Sequence, residues 1–150
     1  FHARKNTRKS EVKKEFKMKH LDEAKKARGH AYVPYSHFKV GAAILLKDGT
    51  YIHGANIENA AYPLSNCAER SALFALYSQG YQKEDIVNMT IVADSEHPVS
   101  PCGACRQVIH ELVPKGIPIY LANLKGEIKE TNPDDLLPYA FESFEEDKDA

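Results

Sequence analysis

Residues 39–57 read KVGAAILLKDGTYIHGANI, and this stretch decides the fold. Its first part, residues 39–46, is almost wholly apolar, as is typical of a strand buried on both faces. Asp48 and Gly49 follow, and an Asp-Gly pair at this point predicts a tight hairpin into a second strand at residues 51–57. We therefore expect a sheet that starts from an antiparallel pair.

Helices and further strands are predicted on both sides of this hairpin. Before it, apolar residues recur at near-helical spacing over 11–28, and Gly29 is suited to end that helix. After it, the pattern predicts helices at 67–78, 101–112 and 132–137 and strands at 86–93, 117–122 and 127–131. This order predicts an α/β fold, a three-layer α/β/α domain around a mixed five-stranded sheet.

Composition limits the partners that the chain can have. It has 150 residues and a formal net charge of −1, which favours one domain at 11–141 between a flexible basic arm at 1–10 and an acidic tail at 142–150. The balanced charge gives no electrostatic reason to bind nucleic acid or an anionic membrane. No run approaches the roughly 18 apolar residues of a membrane span. A small-molecule ligand is the expected partner.

The cysteine content indicates the compartment. The chain has three cysteines, and two of them form a CxxC pattern. An odd number arranged in this way is a poor disulfide framework and suits a reducing environment. We therefore expect a cytoplasmic protein whose thiols serve chemistry.

The cysteines stand in CAER at 67–70 and PCGACR at 101–106, and this pattern predicts a metal site. Cys67, Cys102 and Cys105 each fall near the start of a predicted helix, where unpaired N–H groups favour the thiolate form. Three thiolates give zinc a tetrahedron with one open position, as in catalytic zinc sites. The alternative is that Cys67 is a small buried apolar residue and the CxxC a redox pair.

Glu69 and Arg70 also have two interpretations each. A carboxylate near a zinc-activated water can carry its proton, but Glu69 could instead form a helix capping box with Asn66 as the N-cap. Arg70 can offset the negative charge of the thiolates or form a surface salt bridge. Ser100 is expected as N-cap of the helix at 101–112, with Pro101 at its first position.

These motifs resemble the zinc-dependent cytidine deaminases, specifically the small type with three cysteine ligands that forms homotetramers. The resemblance covers about residues 31–141 and includes three further stretches. They are AYVPYSHFKVGAA at 31–43, NIENA at 56–60 and LLPYAF at 136–141. The family more often has Gly where Tyr139 stands, so the sequence departs from the family pattern at this position.

The resemblance implies zinc on Cys67, Cys102 and Cys105, with Glu69 as the catalytic proton carrier and Arg70 supporting the ligands. It also implies a set of substrate contacts, some of them reaching a neighbouring subunit. In this sequence they fall on Phe38 against the pyrimidine, Asn56 and Glu58 at the ribose hydroxyls, Ala68, and Tyr62 and Phe141 from the neighbouring subunit. An amide and a carboxylate two residues apart on a strand end point the same way, which suits a sugar hydroxyl.

The implied reaction is hydrolytic deamination of cytidine and deoxycytidine to uridine and deoxyuridine plus ammonia, in pyrimidine salvage. Zinc-activated water would attack C4, with Glu69 as proton shuttle. The alternatives are a deaminase of a cytosine nucleotide, of cytosine within nucleic acid or of a nucleoside antibiotic, and, without catalysis, a structural zinc module or an inactive nucleoside-binding protein. Glu58 favours a free nucleoside because a carboxylate at the ribose would repel a phosphate.

Overall fold

Helices and strands alternate along the chain in the computed structural model, which describes the backbone of residues 2–144 and the side chains of residues 7–144. The helices are α1 (His2–Arg28), α2 (Ala68–Ser78), α3 (Gly103–Leu112) and α4 (Pro133–Leu136). The strands are β1 (Val40–Leu46), β2 (Tyr51–Ala55), β3 (Ile86–Ala93), β4 (Ile119–Asn123) and β5 (Ile128–Thr131). Residue 1 of the predicted basic arm and residues 145–150 of the predicted acidic tail lie outside the described residues.

The five strands form one mixed sheet in the order β2-β1-β3-β4-β5. The predicted hairpin joins β1 to β2, with Leu45 opposite Tyr51 and Gly49 in the turn at φ +86°. β3 and β4 run parallel, and the other neighbouring pairs are antiparallel. A parallel pair needs a crossover connection, and α3 provides it.

Helices cover both faces of the sheet, so the predicted three-layer arrangement is confirmed. Along β1, Ala42 and Ile44 pack with α2 and α3 in the larger core cluster, while Ala43 packs with α1 in a second cluster. Successive residues of a strand point to opposite faces, which explains this alternation. A strand with both faces covered is expected to be apolar throughout, as β1 (Val40–Leu46) is.

Two glycines allow the helices to lie close to the sheet. A Cβ atom on Gly41 would lie 2.2 Å from the carbonyl oxygen of Ala24 in α1. A Cβ atom on Gly54 would lie 2.4 Å from both the carbonyl oxygen of Ala68 and the backbone nitrogen of Ala72 in α2. The lack of a side chain at Gly54 therefore sets how closely the start of α2 approaches β2.

The helix starts differ from the predicted ones. α1 begins at His2 rather than at residue 11, because no proline or glycine interrupts residues 2–28. Asn66 was expected as the N-cap of α2, but Cys67 occupies that position and makes no side-chain capping bond. Asn66 is instead paired with Ile57 through two backbone hydrogen bonds of 2.9 and 3.0 Å, which hold it extended.

The start of α3 was also predicted wrongly. Cys102, rather than Ser100, is its N-cap, with extended dihedrals of φ −68° and ψ 165°. Pro101 therefore precedes the helix instead of occupying its first position. At α4, by contrast, Asn132 is an N-cap whose side chain accepts a hydrogen bond from the backbone N–H of Asp135.

Candidate active site

The cysteines meet where the starts of α2 and α3 lie side by side. Cys67 precedes α2, Cys102 precedes α3, and Cys105 lies in the first turn of α3. Their three Sγ atoms lie within 4.8 Å of one another, and those of Cys67 and Cys102 are 3.8 Å apart. Sequence spacing predicted this cluster, although two of the three residues stand as N-caps rather than inside the first turn.

The geometry of this thiol cluster fits zinc. With a Zn–S distance of about 2.3 Å, tetrahedral coordination separates two sulfur atoms by about 3.8 Å. The distance between the Cys67 and Cys102 sulfur atoms equals that edge. Cys105 is buried, Cys67 partly buried and Cys102 exposed, so the cluster opens to solvent on one side. Three protein ligands with one side open is the arrangement of a catalytic zinc site.

The surroundings of Cys67 favour its thiolate. Hydrogen bonds from Cys105 and then from Arg70 lower the pKa of Cys67 to about 5, against the opposing effect of burial. Nη2 of Arg70 lies 3.4 Å from the sulfur. The pKa of Cys105 is raised by its hydrogen bond to Cys67 and by burial. Metal binding displaces the protons that remain on such thiols, so the cluster is prepared for a dication.

Glu69 lies beside the thiols and is almost completely buried, with 4% of its surface exposed. Burial raises the pKa of this carboxyl, while a hydrogen bond with the Cys105 thiol acts in the opposite direction. Since α2 starts at Ala68 and no side-chain cap is formed, the capping-box alternative for Glu69 is wrong. A buried carboxyl with a raised pKa, placed beside thiols that could hold a metal ion, is suited to exchanging protons.

A second set of predicted residues meets where the segment after β2 contacts the loop before β1. Asn56 Oδ1 accepts a hydrogen bond from the Val40 N–H at 2.9 Å, and its Nδ2 donates to the Phe38 carbonyl at 2.7 Å. Glu58 Oε1 accepts from the backbone N–H groups of Tyr35 and Ser36, both at 3.1 Å. The two side chains therefore hold the loop that presents Phe38.

The loop exposes Phe38 and keeps Glu58 charged. Phe38 is 43% exposed, and the preceding His37 has φ +58°, a conformation that is uncommon outside glycine. Hydrogen bonds from the Ser36 side chain and backbone, and then from the Tyr35 backbone, lower the pKa of Glu58. The ionised carboxylate of Glu58, on the segment after β2, thus lies against the loop that carries the exposed Phe38 ring.

Comparison with known proteins gives the family. Residues 14–121 match the family described as "Cytidine and deoxycytidylate deaminase zinc-binding region". The chain belongs to this family. It is therefore a deaminase, and zinc is its cofactor.

Curated relatives and solved structures agree with this assignment. The chain is 58% identical over 121 residues to a cytidine deaminase of Halalkalibacterium halodurans, covering 81% of this chain and 90% of the relative. It is 57% identical over 121 residues to that of Sporosarcina psychrophila, with 81% and 88% covered. The crystal structure of cytidine deaminase from Burkholderia pseudomallei matches with a TM-score of 0.80 and 46% identity, over 83% of this chain and 98% of that one.

Two predicted residues of the deaminase lie on other segments. Tyr62 is 70% exposed on the short 3₁₀ helix Tyr62–Leu64, and its ring contacts that of Tyr35 at a centroid distance of 5.8 Å. Phe141 is 54% exposed after α4 and pairs with the Phe144 ring at 5.1 Å. Within residues 7–144, no hydrogen bond or ring contact joins Phe141 to the thiol cluster or to the loop before β1.

Sequence reasoning missed the part that Arg106 has in the deaminase. Its guanidinium donates to the carbonyl of Pro101, to the Ser100 hydroxyl and to the carbonyl of Leu136. Its position directly after Cys105 could have indicated a function at the metal site. Its acceptor at Leu136, however, lies 30 residues further along the chain. Proximity in sequence therefore could not show what it joins.

Across the described residues of the deaminase, no helix combines the length and the apolar composition that crossing a bilayer requires. The longest helix, α1, is rich in lysine and arginine along its whole length.

Proposed function

We propose that this deaminase hydrolyses cytidine and deoxycytidine to uridine and deoxyuridine with release of ammonia. The observation that carries the proposal is the buried carboxyl of Glu69 beside three convergent thiols at the junction of two helix starts. The high identity to proteins named cytidine deaminase supports the choice of substrate.

Cys67, Cys102 and Cys105 hold the zinc ion, and Arg70 offsets part of the negative charge that three thiolates bring. When bound, zinc supplies a Lewis acid that makes water nucleophilic near neutral pH. The hydrogen bond from Arg70 to Cys67 keeps this thiol ionised and oriented. The positive ends of the α2 and α3 dipoles act in the same direction.

Glu69 moves the protons of the reaction. It accepts a proton from the attacking water and delivers it to N3 of the pyrimidine as the bond from oxygen to C4 forms. It then assists transfer of a proton to the exocyclic nitrogen, the bond from C4 to nitrogen breaks, and ammonia leaves. Burial supports this role, because it raises the pKa of the carboxyl above its usual value, and such a carboxyl holds a proton more readily.

The loop before β1 recognises the nucleoside. Phe38 presents an exposed ring for the pyrimidine face, and Asn56 and Glu58 offer an amide and an ionised carboxylate to the ribose hydroxyls. Ala68, at the first position of α2 next to Glu69, is completely buried, so the structure does not support the substrate contact that the resemblance implies for it. Because Glu58 carries charge, a nucleoside fits this site better than a nucleotide does.

Exposed apolar side chains support a homotetramer in which neighbouring subunits supply Tyr62 and Phe141 to each site. Aromatic and aliphatic residues with at least 54% of their surface exposed would otherwise face water. They are Phe16, Tyr32, Tyr62, Leu64, Tyr139, Phe141 and Phe144. Sedimentation velocity on the purified enzyme should give four times the chain mass of 16.8 kDa, and a monomer at assay concentration would refute this arrangement. The free thiols further favour action in the cytoplasm.

A spectroscopic assay tests the reaction. Conversion of cytidine to uridine lowers the ultraviolet absorbance, and we expect this loss with enzyme, its abolition by a zinc chelator and its recovery on adding zinc. Ammonia release from cytidine, cytidine monophosphate and a cytosine-containing oligonucleotide, compared at equal concentrations, tests the substrate class. Faster release from the nucleotide or from the oligonucleotide would refute the free nucleoside as substrate, and full zinc content without turnover would refute catalysis.

A further inference from the structure

Arg106 bonds to two separate segments of the chain. Its Nε donates to the Pro101 carbonyl at 2.8 Å and its Nη2 to the Ser100 hydroxyl at 2.5 Å. Its Nη1 donates to the Leu136 carbonyl at 2.9 Å. The first two acceptors lie directly before Cys102, and the third ends α4. A planar guanidinium can make these bonds at the same time, whereas a single ammonium group cannot match their geometry.

The segment before Cys102 depends on this side chain. Upstream, Val99 is fixed to β4 by a backbone bond to Ala122 at 3.2 Å. Pro101 is buried and has no N–H, so a hydrogen bond can hold it through its carbonyl, and Arg106 is the donor. The backbone N–H of Arg106 also bonds to the Cys102 carbonyl at 3.0 Å. The side chain of Arg106 thus holds the two residues directly before one proposed zinc ligand, while its backbone N–H makes an ordinary helix bond to the carbonyl of that ligand.

The same helix carries the chain that follows α4. Gln107 donates its Nε2 to the Phe141 carbonyl at 3.0 Å, one position after Arg106. Further along, Lys115 lies 3.3 Å from a carboxylate oxygen of Glu142, and Nε2 of His110 lies 3.5 Å from that oxygen. Residues 137–144, which we call the C-terminal segment, therefore lie against α3 and its end.

We propose that Arg106 is a positioning residue that couples the zinc site to the C-terminal segment, so that zinc binding and docking of that segment stabilise each other. The proposal rests on the assignment of Cys102 and Cys105 as zinc ligands. Zinc fixes these cysteines, and with them residues 100–101 and the first turn of α3. Arg106, held by these acceptors, then fixes the end of α4, from which the C-terminal segment starts.

This coupling is reciprocal, because two linked binding equilibria change each other by the same factor. Loosening the C-terminal segment should therefore weaken zinc binding even when no residue near the metal is changed. It also means that the zinc-loaded enzyme presents Phe141 in a defined place, whereas zinc loss releases it. Substitution of Gln107 removes only a bond to the C-terminal segment, whereas substitution of Arg106 also removes the bonds next to Cys102. The two residues therefore allow each side of the coupling to be tested separately.

The test measures zinc affinity and amide exchange in variants of the full chain. Arg106→Lys keeps the positive charge but loses the planar guanidinium that bonds to three acceptors. We expect its zinc affinity to fall by about 10–100-fold, as measured by competition with a chelating dye. Zinc should slow amide exchange in residues 137–144 of the wild type and have little effect there in Arg106→Lys. Arg28→Lys is the matched control, because Arg28 also donates from Nε to a carbonyl, that of Lys39, but lies at the end of α1. Its zinc affinity should equal that of the wild type.

Gln107→Ala tests the coupling itself. This change removes a bond to the C-terminal segment and leaves residues 100–102 untouched. Made alone, it should lower the zinc affinity; combined with Arg106→Lys, it should cause no further loss. Unchanged zinc affinity in Gln107→Ala, or equal exchange of residues 137–144 with and without zinc in the wild type, would overturn the proposal. Ser100→Ala, with a smaller expected loss of affinity, replaces Arg106→Lys if that variant does not fold. None of these readouts involves turnover, so failure to deaminate cytidine would refute the proposed function alone.

Discussion

Alanine at position 54 should damage the zinc site by moving a helix. The new Cβ atom would lie 2.4 Å from the Ala68 carbonyl oxygen and 2.7 Å from the Ala72 Cβ. Ordinary contacts of this kind begin near 3.4 Å, so the start of α2 must move by about 1 Å away from β2. Cys67 and Glu69 lie on that start and move with it. Overpacking of this kind costs about 1–3 kcal/mol of stability.

Displacement of the catalytic groups should lower turnover beyond the loss of folded protein. A misplacement of about 1 Å can cost up to about 100-fold in rate, and the 3.8 Å sulfur separation leaves little tolerance for zinc. The assay is kcat for cytidine per zinc-loaded molecule, together with the melting temperature. The latter should fall by about 2–4 °C for each kcal/mol lost in a chain of this size.

Gly41→Ala is the matched control for this experiment. Its Cβ atom would lie 2.2 Å from the Ala24 carbonyl oxygen and 2.5 Å from the Arg28 nitrogen, so it is at least as crowded, but it presses on α1 across the sheet. It should lower the melting temperature by a similar amount and leave kcat per zinc-loaded molecule close to the wild-type value. Equal loss of kcat in both variants, or wild-type kcat in Gly54→Ala, would refute the argument that close packing at Gly54 positions the site.

Other predictions follow from single side chains. Glu69→Gln should keep its zinc and lose about 10²–10⁴-fold in kcat, because the amide cannot carry a proton; retention of more than about one per cent of turnover with full zinc content would contradict this role. Tyr139, fully exposed at φ +56°, is in a conformation that costs a residue other than glycine about 1–2 kcal/mol. Glycine also makes the unfolded chain freer, which costs about 0.5–1 kcal/mol. Tyr139→Gly should therefore stabilise the single chain by up to about 1.5 kcal/mol in chemical denaturation, and a loss of stability would show that a neighbouring subunit covers the ring. Burial and then the charge of Lys19 lower the pKa of His20, so the unfolded chain binds this proton at higher pH than the folded one does. Stability should therefore fall as pH drops below about 6.5, and less steeply in His20→Gln; parallel curves for the two proteins would exclude His20 as the cause.

Local chemistry predicted most of the fold but not the N-caps of α2 and α3. The hairpin between β1 and β2 depends on neighbouring residues, and an apolar run with Asp-Gly was enough to place it. The N-cap of α2 depends on a contact outside the helix, because pairing with Ile57 keeps Asn66 extended and Cys67 becomes the N-cap instead. Strand order is likewise set by packing between segments far apart in sequence, for which one sequence gives no pattern.

The candidate site divides in the same way. Motif spacing placed Cys67, Cys102 and Cys105 together because each lies at the start of a helix, and helix starts of one layer can share an edge of the sheet. The hydrogen bonds by which Asn56 holds the loop before β1 were not predicted. Its partners are Val40, on another strand, and Phe38, in the loop before that strand. The side chain proposed to meet the ribose also fixes the loop on which the pyrimidine contact stands.

The chemistry of the site depends on giving two neighbouring acids different environments. Cys67 is partly exposed and receives hydrogen bonds from Cys105 and Arg70, which lower its pKa and suit it to bind a metal. Glu69, two positions later on the same helix start, is buried, which raises its pKa and allows it to hold a proton. The pKa of Cys67 falls because Arg70 donates a hydrogen bond to it, and the pKa of Glu69 rises because it is buried. Packing the start of α2 against β2 therefore gives metal binding to one residue and proton transfer to the other. If Glu69 carries the protons as proposed, close packing at Gly54 positions the catalytic groups, although no atom of that glycine takes part in the reaction.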